Sequence, residues 1–116
     1  MKIERSHTDA RMSQVVVYDN RVYLSGQVAD RAPRQSVSRQ TSDICRRIDE
    51  LLTQAGSDKS KLLSATIWLS NIAYYDEMNT VWNNWLPAAS APARACVEAR
   101  LAYPQFDVEI MIVAAV

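Results

Sequence analysis

Pro92-Ala93-Arg94-Ala95-Cys96-Val97-Glu98-Ala99-Arg100-Leu101, and the run Val108-Glu109-Ile110-Met111-Ile112-Val113 that follows it, decide how this chain is read. In the first run Arg94, Cys96, Glu98 and Arg100 alternate with Ala95, Val97, Ala99 and Leu101. That is the period of two of a strand with one apolar face. Pro92 suits the position just before it, where no ladder donor is needed. The second run alternates as well, Val108, Ile110 and Ile112 against Glu109, Met111 and Val113. The short connection from Ala102 to Asp107 predicts a hairpin between the two. An arginine and a glutamate then lie on neighbouring strands among small or apolar residues, outside any turn or solvated charge run, and both need an explanation.

Working outward, Val15–Tyr18, Asp19-Asn20 and Arg21–Ser25 read as an early hairpin, because Asp and Asn tolerate the left-handed conformation of a two-residue turn. Residues 1–13 are polar and read as an extended arm leading into it. Gly26 ends the second strand, where a missing side chain lets backbone approach a neighbour closely. Ser36 can cap a helix running to about Ala55, with Val37, Thr41, Ile44, Ile48, Leu51, Leu52 and Ala55 at helical spacing and Gly56 as its stop. Leu63–Leu69 is a further strand, with Leu63, Ala65, Ile67 and Leu69 on one face and Ser64, Thr66 and Trp68 on the other. A second helix, about Tyr75–Trp85, buries Met78, Val81, Trp82 and Trp85 and ends at Pro87. The order β-β-α-β-α-β-β, with no internal repeat, predicts an α+β fold: a single mixed sheet with two helices on one face. Trp68, Met111, Val113, Cys96 and Tyr23 then fall on the other face. No further element remains to cover them, which predicts an oligomer with packed sheet faces.

A chain of 116 residues, 48% of them hydrophobic, forms one domain, residues 1–116. Thirteen basic residues balance thirteen acidic ones, which gives no electrostatic case for nucleic acid or an anionic membrane. No apolar run approaches the roughly 20 residues of a membrane span, and the N-terminus lacks the apolar segment of a signal peptide. Cys45 and Cys96 stand far apart and read as reduced thiols in a cytoplasmic protein. A single histidine, His7, and no Cys/His cluster leave no metal site to predict. Two glycines exclude a Gly-rich phosphate loop, and no cofactor is implied.

Arg94 is the leading candidate for chemistry. A guanidinium fixed on a strand offers a rigid fork for a carboxylate; the structural alternative is an interface salt bridge with Glu98 or Glu109. Glu109, a carboxylate in apolar company, can position water and move a proton, or partner Arg94 or Arg100. Cys96 has no adjacent base to make it a nucleophile and reads as a small buried thiol. Asn79 reads as a surface residue of the second helix. Glu98 and Arg100 read as a same-strand ion pair or as interface charges.

Pro-Ala-Arg-Ala-x-Val, then Arg100 and Ala102, then Val108-Glu109-Ile110 at this distance, resembles the signature of the reactive intermediate deaminase family, also called the YjgF family. Ser25-Gly26-Gln27, Ala55-Gly56 and Asn79 follow in the family's order, so the resemblance spans nearly the whole chain, and it is nearest to the short-looped YoaB-like members. It implies a chorismate-mutase-like fold and a homotrimer with sheets inside, helices outside and sites at subunit interfaces. It implies hydrolytic deamination of reactive enamines and imines, such as 2-aminoacrylate and 2-iminopropanoate, to 2-oxo acids and ammonia. Arg94 would hold the substrate carboxylate, Glu109 would position water, Cys96 would contribute backbone groups, and Asn79, Ser25 and Gly26 would line the site. Archetypal members carry a tyrosine near the first strand that closes over the substrate; here that position falls on Met12, and the loop Val28–Gln35 is shorter. Both departures bear on which substrate is taken. Rival readings are a binder or regulator of small carboxylic acids without turnover, a deaminase for cyclic or aromatic intermediates, and a ribonuclease, which the neutral charge and the lack of a catalytic histidine pair disfavour.

Overall fold

β5 (Ala93–Glu98) and β6 (Val108–Ala115), the two signature strands, are not partners. The computed structural model, which describes all 116 residues, places them in one mixed six-stranded sheet of order β1-β2-β3-β6-β4-β5. The other strands are β1 (Glu4–Thr8), β2 (Ser13–Tyr18), β3 (Arg21–Leu24) and β4 (Leu62–Leu69). β4 lies between the signature strands, parallel to β5 and antiparallel to β6. The predicted hairpin is therefore wrong, and Arg94 and Glu109 are not on neighbouring strands. Composition explains the difference. Apart from Glu109, β6 is apolar on both faces and takes a central place, whereas β5, with Arg94 and Glu98, takes the edge. The chain reaches β5 from β4 through helix α2 (Tyr75–Trp85), the crossover that a parallel pair requires.

β1 is a second departure. Its sequence ERSHT contains no apolar residue and every position is exposed, so no hydrophobic pattern announces it. It pairs with β2 across a turn in which Asp9 Oδ1 accepts from the backbone N–H of Arg11 (2.7 Å) and Met12 (2.9 Å). The β2–β3 turn forms as predicted, with Asp19 and Asn20 both left-handed at φ 50° and 60°.

Helix α1 (Val37–Gln54) starts where Ser36 Oγ accepts from Arg39 N (3.2 Å) and stops at Gly56, whose φ of +81° suits a residue without a Cβ. Its Ile44, Ile48, Leu51 and Leu52 are fully buried with Val22, Ile67, Ile110 and Ile112 of the sheet. Burying each such side chain is worth about 1.5–3 kcal/mol, so this layer carries the fold. A bulge near the start of β4 shifts the inward position to Leu62 and leaves Leu63 exposed, which corrects the predicted alternation there. Gln40 is buried in α1. It donates to Asp107 Oδ2 (3.2 Å) and accepts from Asp107 N (2.8 Å), while Asp107 Oδ1 accepts from Ser70 Oγ (2.7 Å). These bonds tie the start of β6 to α1 and to the end of β4.

The register settles which side chains share a face. Arg94 pairs with Ala65 and Cys96 with Ile67, so both belong to the helix-covered face. The expectation that Cys96 lies on the open face is wrong, because β5 enters the sheet parallel to β4 and in this register. Glu109 pairs with Trp68 on the opposite, open face, which also carries Val16, Tyr23, Thr66, Met111, Val113 and Val97. No helix of the chain is long and apolar enough to cross a membrane.

Candidate active site

Arg94 reaches from β5 onto α2. Its Nη1 donates to Asn79 Oδ1 at 2.7 Å and its Nη2 to the Tyr75 hydroxyl at 3.0 Å. The guanidinium carbon lies 5.6 Å from the centre of the Tyr75 ring and 5.7 Å from that of Trp82. Tyr75, Asn79 and Trp82 are spaced i, i+4, i+7 along α2, so a single helical stripe supplies the whole cradle. Asn79, expected at the helix surface, instead turns toward β5. The four ion pairs of the chain are Arg21–Asp19, Arg46–Asp43, Arg46–Glu50 and Arg47–Glu50. Within the single chain, therefore, Arg94 makes no salt bridge to Glu98 or Glu109, and the predicted same-strand Glu98–Arg100 pair does not form; the interface forms of these pairings involve a second copy. Glu98 Oε1 accepts from Ile72 N at 2.9 Å.

Neutral groups thus hold the Arg94 cation, with ring faces each worth about 0.5–2 kcal/mol. Two of the five guanidinium N–H donors are engaged, and three remain for a ligand. A guanidinium so oriented, with no counter-ion in its own chain, has the donor geometry that a carboxylate accepts from. Cys96, next along this face, has its thiol pushed up by burial, an effect partly offset by the nearby Arg94 charge, so it is a poor nucleophile. Cys45, deeper in α1, is pushed up to about 12 by burial and then by the Asp49 charge, and is inert.

Glu109 sits on the other face and at the other end of the signature. Burial raises the pKa of its carboxyl above the ordinary glutamate value. The reason is local: Gly26 lies against it so closely that a Cβ there would fall onto Oε2 and within 3.0 Å of Cδ. This is the close approach predicted for Gly26, now with its neighbour named. Gln27 holds the glycine in place by exchanging both backbone bonds with Ile110, at 2.8 and 3.0 Å. The Gln27 side chain donates to Gln14 Oε1 (2.8 Å) and Ser25 Oγ (3.0 Å), and Ser25 Oγ donates to Gln14 Oε1 (2.7 Å). Ser25 N bonds Gln14 O, which brings the start of β2, and with it the exposed Met12 of the β1–β2 turn, to the same end of the sheet.

Of the predicted residues, the fold gathers Arg94, Asn79 and Cys96 on one face and Glu109, Ser25 and Gly26 on the other. It does not bring the two groups together within one chain. A cleft of about 350 Å³ at the end of β5, lined by Glu98, Arg100, Tyr103 and Asp107 among others, contains neither Arg94 nor Glu109. Sequence reasoning missed Tyr75 and Trp82, although their spacing from Asn79 is a readable signal, and it missed Gln14 and the Gln27 side chain. No cluster of three or more His, Cys, Asp or Glu residues is placed to hold a metal ion.

The family model described as endoribonuclease L-PSP matches residues 3–116. The chain is 40% identical over 116 residues to the RutC family protein YoaB of Escherichia coli, covering 100% of both. It is 40% identical over 114 residues to a RutC family protein of Haemophilus influenzae, covering 98% of each. A crystal structure of a YjgF family member from Neisseria meningitidis is similar with a TM-score of 0.95 and 43% identity, over 99% of this chain and 95% of that one. More distantly, the chain is 32% identical over 91 residues to a 2-iminobutanoate/2-iminopropanoate deaminase of Bos taurus, over 74% of this chain and 66% of that protein. Sheet, signature strands and full-length similarity agree: the chain belongs to the YjgF/RutC, or reactive intermediate deaminase, family, in its YoaB-like branch.

Proposed function

We propose that this protein hydrolyses small 2-imino acids, formed from enamines such as 2-aminoacrylate, to 2-oxo acids and ammonia. The observation that carries the reading is the Arg94 guanidinium, held by Asn79, Tyr75 and Trp82 with no carboxylate of its own. Its free donors bind the substrate carboxylate and align the imine carbon. A Glu109 carboxyl with a raised pKa suits proton exchange: it accepts a proton as water adds to the C=N carbon and returns one to nitrogen as ammonia leaves. The balance is one imine and one water giving one 2-oxo acid and one ammonia, with no covalent enzyme intermediate. The distant relative named as a 2-iminobutanoate/2-iminopropanoate deaminase supports the same chemistry.

A substrate of a few heavy atoms cannot touch both faces of one sheet. The reading therefore places the site between copies, in a homotrimer that packs the open faces inward and sets Glu109 of one chain near Arg94 of the next. The apolar open face, with Tyr23 40% and Met111 38% exposed in the single chain, supports this. Met12, Ser25 and Gly26 then border the mouth of the site beside Glu109. Two free cysteines fit a reducing cytoplasm.

The test generates the imine in place with a serine or threonine dehydratase, in the presence of semicarbazide as a trap. Wild type diverts the imine to 2-oxo acid; Arg94→Ala does not. No diversion by wild type would refute acyclic imine deamination. One observation favours a second reading, a carboxylate binder without turnover: the Arg94 cradle is complete within one chain, whereas Glu109 is remote from it. Binding of 2-oxobutanoate that survives Glu109→Ala, with no turnover by wild type, would select that reading.

A further inference from the structure

Tyr75 does more in this geometry than stack beneath Arg94. Its hydroxyl accepts from Arg94 Nη2 at 3.0 Å, which occupies an oxygen lone pair and leaves the phenolic proton free. No acceptor in the chain takes that proton: the Arg94 bond is the hydroxyl's sole hydrogen bond, and the residue stands 39% exposed at the start of α2. A phenol that accepts from a cation is polarised toward donating, and here the donor is pinned beside the three unused guanidinium N–H groups.

We infer that Tyr75 is a ligand-binding residue: its hydroxyl donates to the carboxylate held by Arg94, so that guanidinium and phenol form a two-residue clamp for a small carboxylic acid. The inference rests on the proposed function for the presence of that carboxylate. It adds which group completes the carboxylate's hydrogen bonding and why α2 presents a tyrosine. Asn79, the other α2 partner, has a different part. Its Oδ1 accepts from Nη1, so it orients the guanidinium. Trp82 is buried and has only its ring face toward the cation, so it can add no hydrogen bond to a ligand there.

The test compares wild type, Tyr75→Phe and Arg94→Ala by calorimetric binding of 2-oxobutanoate and by the trapping assay. Phenylalanine keeps the ring against the guanidinium and removes only the hydroxyl. At this exposed position the variant folds, and thermal melting confirms it. The expected result is 2-oxobutanoate affinity about tenfold weaker and KM raised about tenfold, with kcat within about twofold, because a bond made equally to substrate and transition state moves KM alone. The Arg94 Nε–H resonance of the ligand-free variant stays at its wild-type position, which separates direct donation from a role in merely orienting Arg94. Unchanged affinity in Tyr75→Phe, with loss in Arg94→Ala, overturns the clamp and leaves the proposed function standing. A displaced Nε–H resonance accompanying the loss also overturns it, since Tyr75 would then act through Arg94. If wild type neither binds 2-oxobutanoate nor diverts the imine, the proposed function fails and the clamp falls with it.

Discussion

Arg94 and Glu109 are both charged groups set on strands among apolar neighbours, and the protein treats them in opposite ways. Arg94 is surrounded by groups that stabilise its charge without cancelling it: an amide oxygen, a phenol and two ring faces. Glu109 has close contact with a glycine, and burial raises its pKa. One environment keeps an ion fully charged and short of a counter-ion; the other makes ionisation cost more. A receptor for a carboxylate needs the first property and a proton carrier the second. The two residues also divide the sheet. Arg94 belongs to the helix-covered side, where α2 of the same chain supplies its partners, and Glu109 to the open side, which no helix of the chain covers. On the proposed function, the difference means that one half of the site is complete within a single chain and the other half needs a second copy.

The sharpest way to break the comparison is to remove the finished half. Arg94→Ala should retain a near-wild-type melting temperature and lose 2-oxobutanoate binding, with imine diversion down at least about 100-fold. Equal turnover in the variant would mean that the cradle serves packing alone. Next in size is the unfinished half. Met111→Arg places a cation in the middle of the open face without touching the Arg94 cradle. Sedimentation should report a shift from trimer toward monomer, and turnover should fall by about 10–100-fold, while Asn79 and Tyr75 still hold Arg94. A monomeric wild type with full activity would end the two-copy reading.

How far the sequence reached is clear from particular residues. The α+β layer, the positions of α1 and α2, the Ser36 cap, the Asp19-Asn20 turn and the apolar open face were legible, because each rests on local periodicity or turn chemistry. The partner of β5 was not. Alternation fixes which residues share a face of a strand and says nothing of its neighbours, and the connection to β6 is equally compatible with skipping a strand. β1 escaped because exposed edge strands need no apolar residues. Arg94 and Glu109 were visible as charges out of place, but their opposite faces follow from the parallel register of β4 and β5. Tyr75 and Trp82 look like ordinary core aromatics until Arg94 is placed between them and the edge of the sheet.

Two smaller perturbations test why Glu109 is as it is. Gly26→Ala puts a Cβ onto the Glu109 carboxylate, which must swing away. The expected loss is about tenfold in turnover and about 1 kcal/mol of stability, read as a melting temperature about 5 °C lower. In a Glu109→Ala background the same substitution should leave the melting temperature unchanged. A drop of equal size in both backgrounds would show that Gly26 is needed for the backbone and not for the carboxylate.

The smallest effect carries a sign. Burial raises the Glu109 pKa in the folded protein, so folding makes the ionised form more costly. Well below the unfolded-state value the group is protonated in both states and nothing is lost. As pH rises through the unfolded and then the folded pKa, the unfolded chain releases its proton more readily, and stability falls. Glu109→Gln removes that loss. Its melting temperature should exceed wild type by about 1–3 °C at pH 7, a modest gain because the group is partly solvated, and the two proteins should converge near pH 4. A glutamine variant that melts lower at pH 7 would mean that the carboxylate gains more from a charged partner than it loses to burial. Within the single chain no ion pair reaches Glu109. That partner would have to come from a neighbouring copy, and the Arg94 side of the comparison offers a guanidinium held by an amide, a phenol and two rings with no carboxylate of its own.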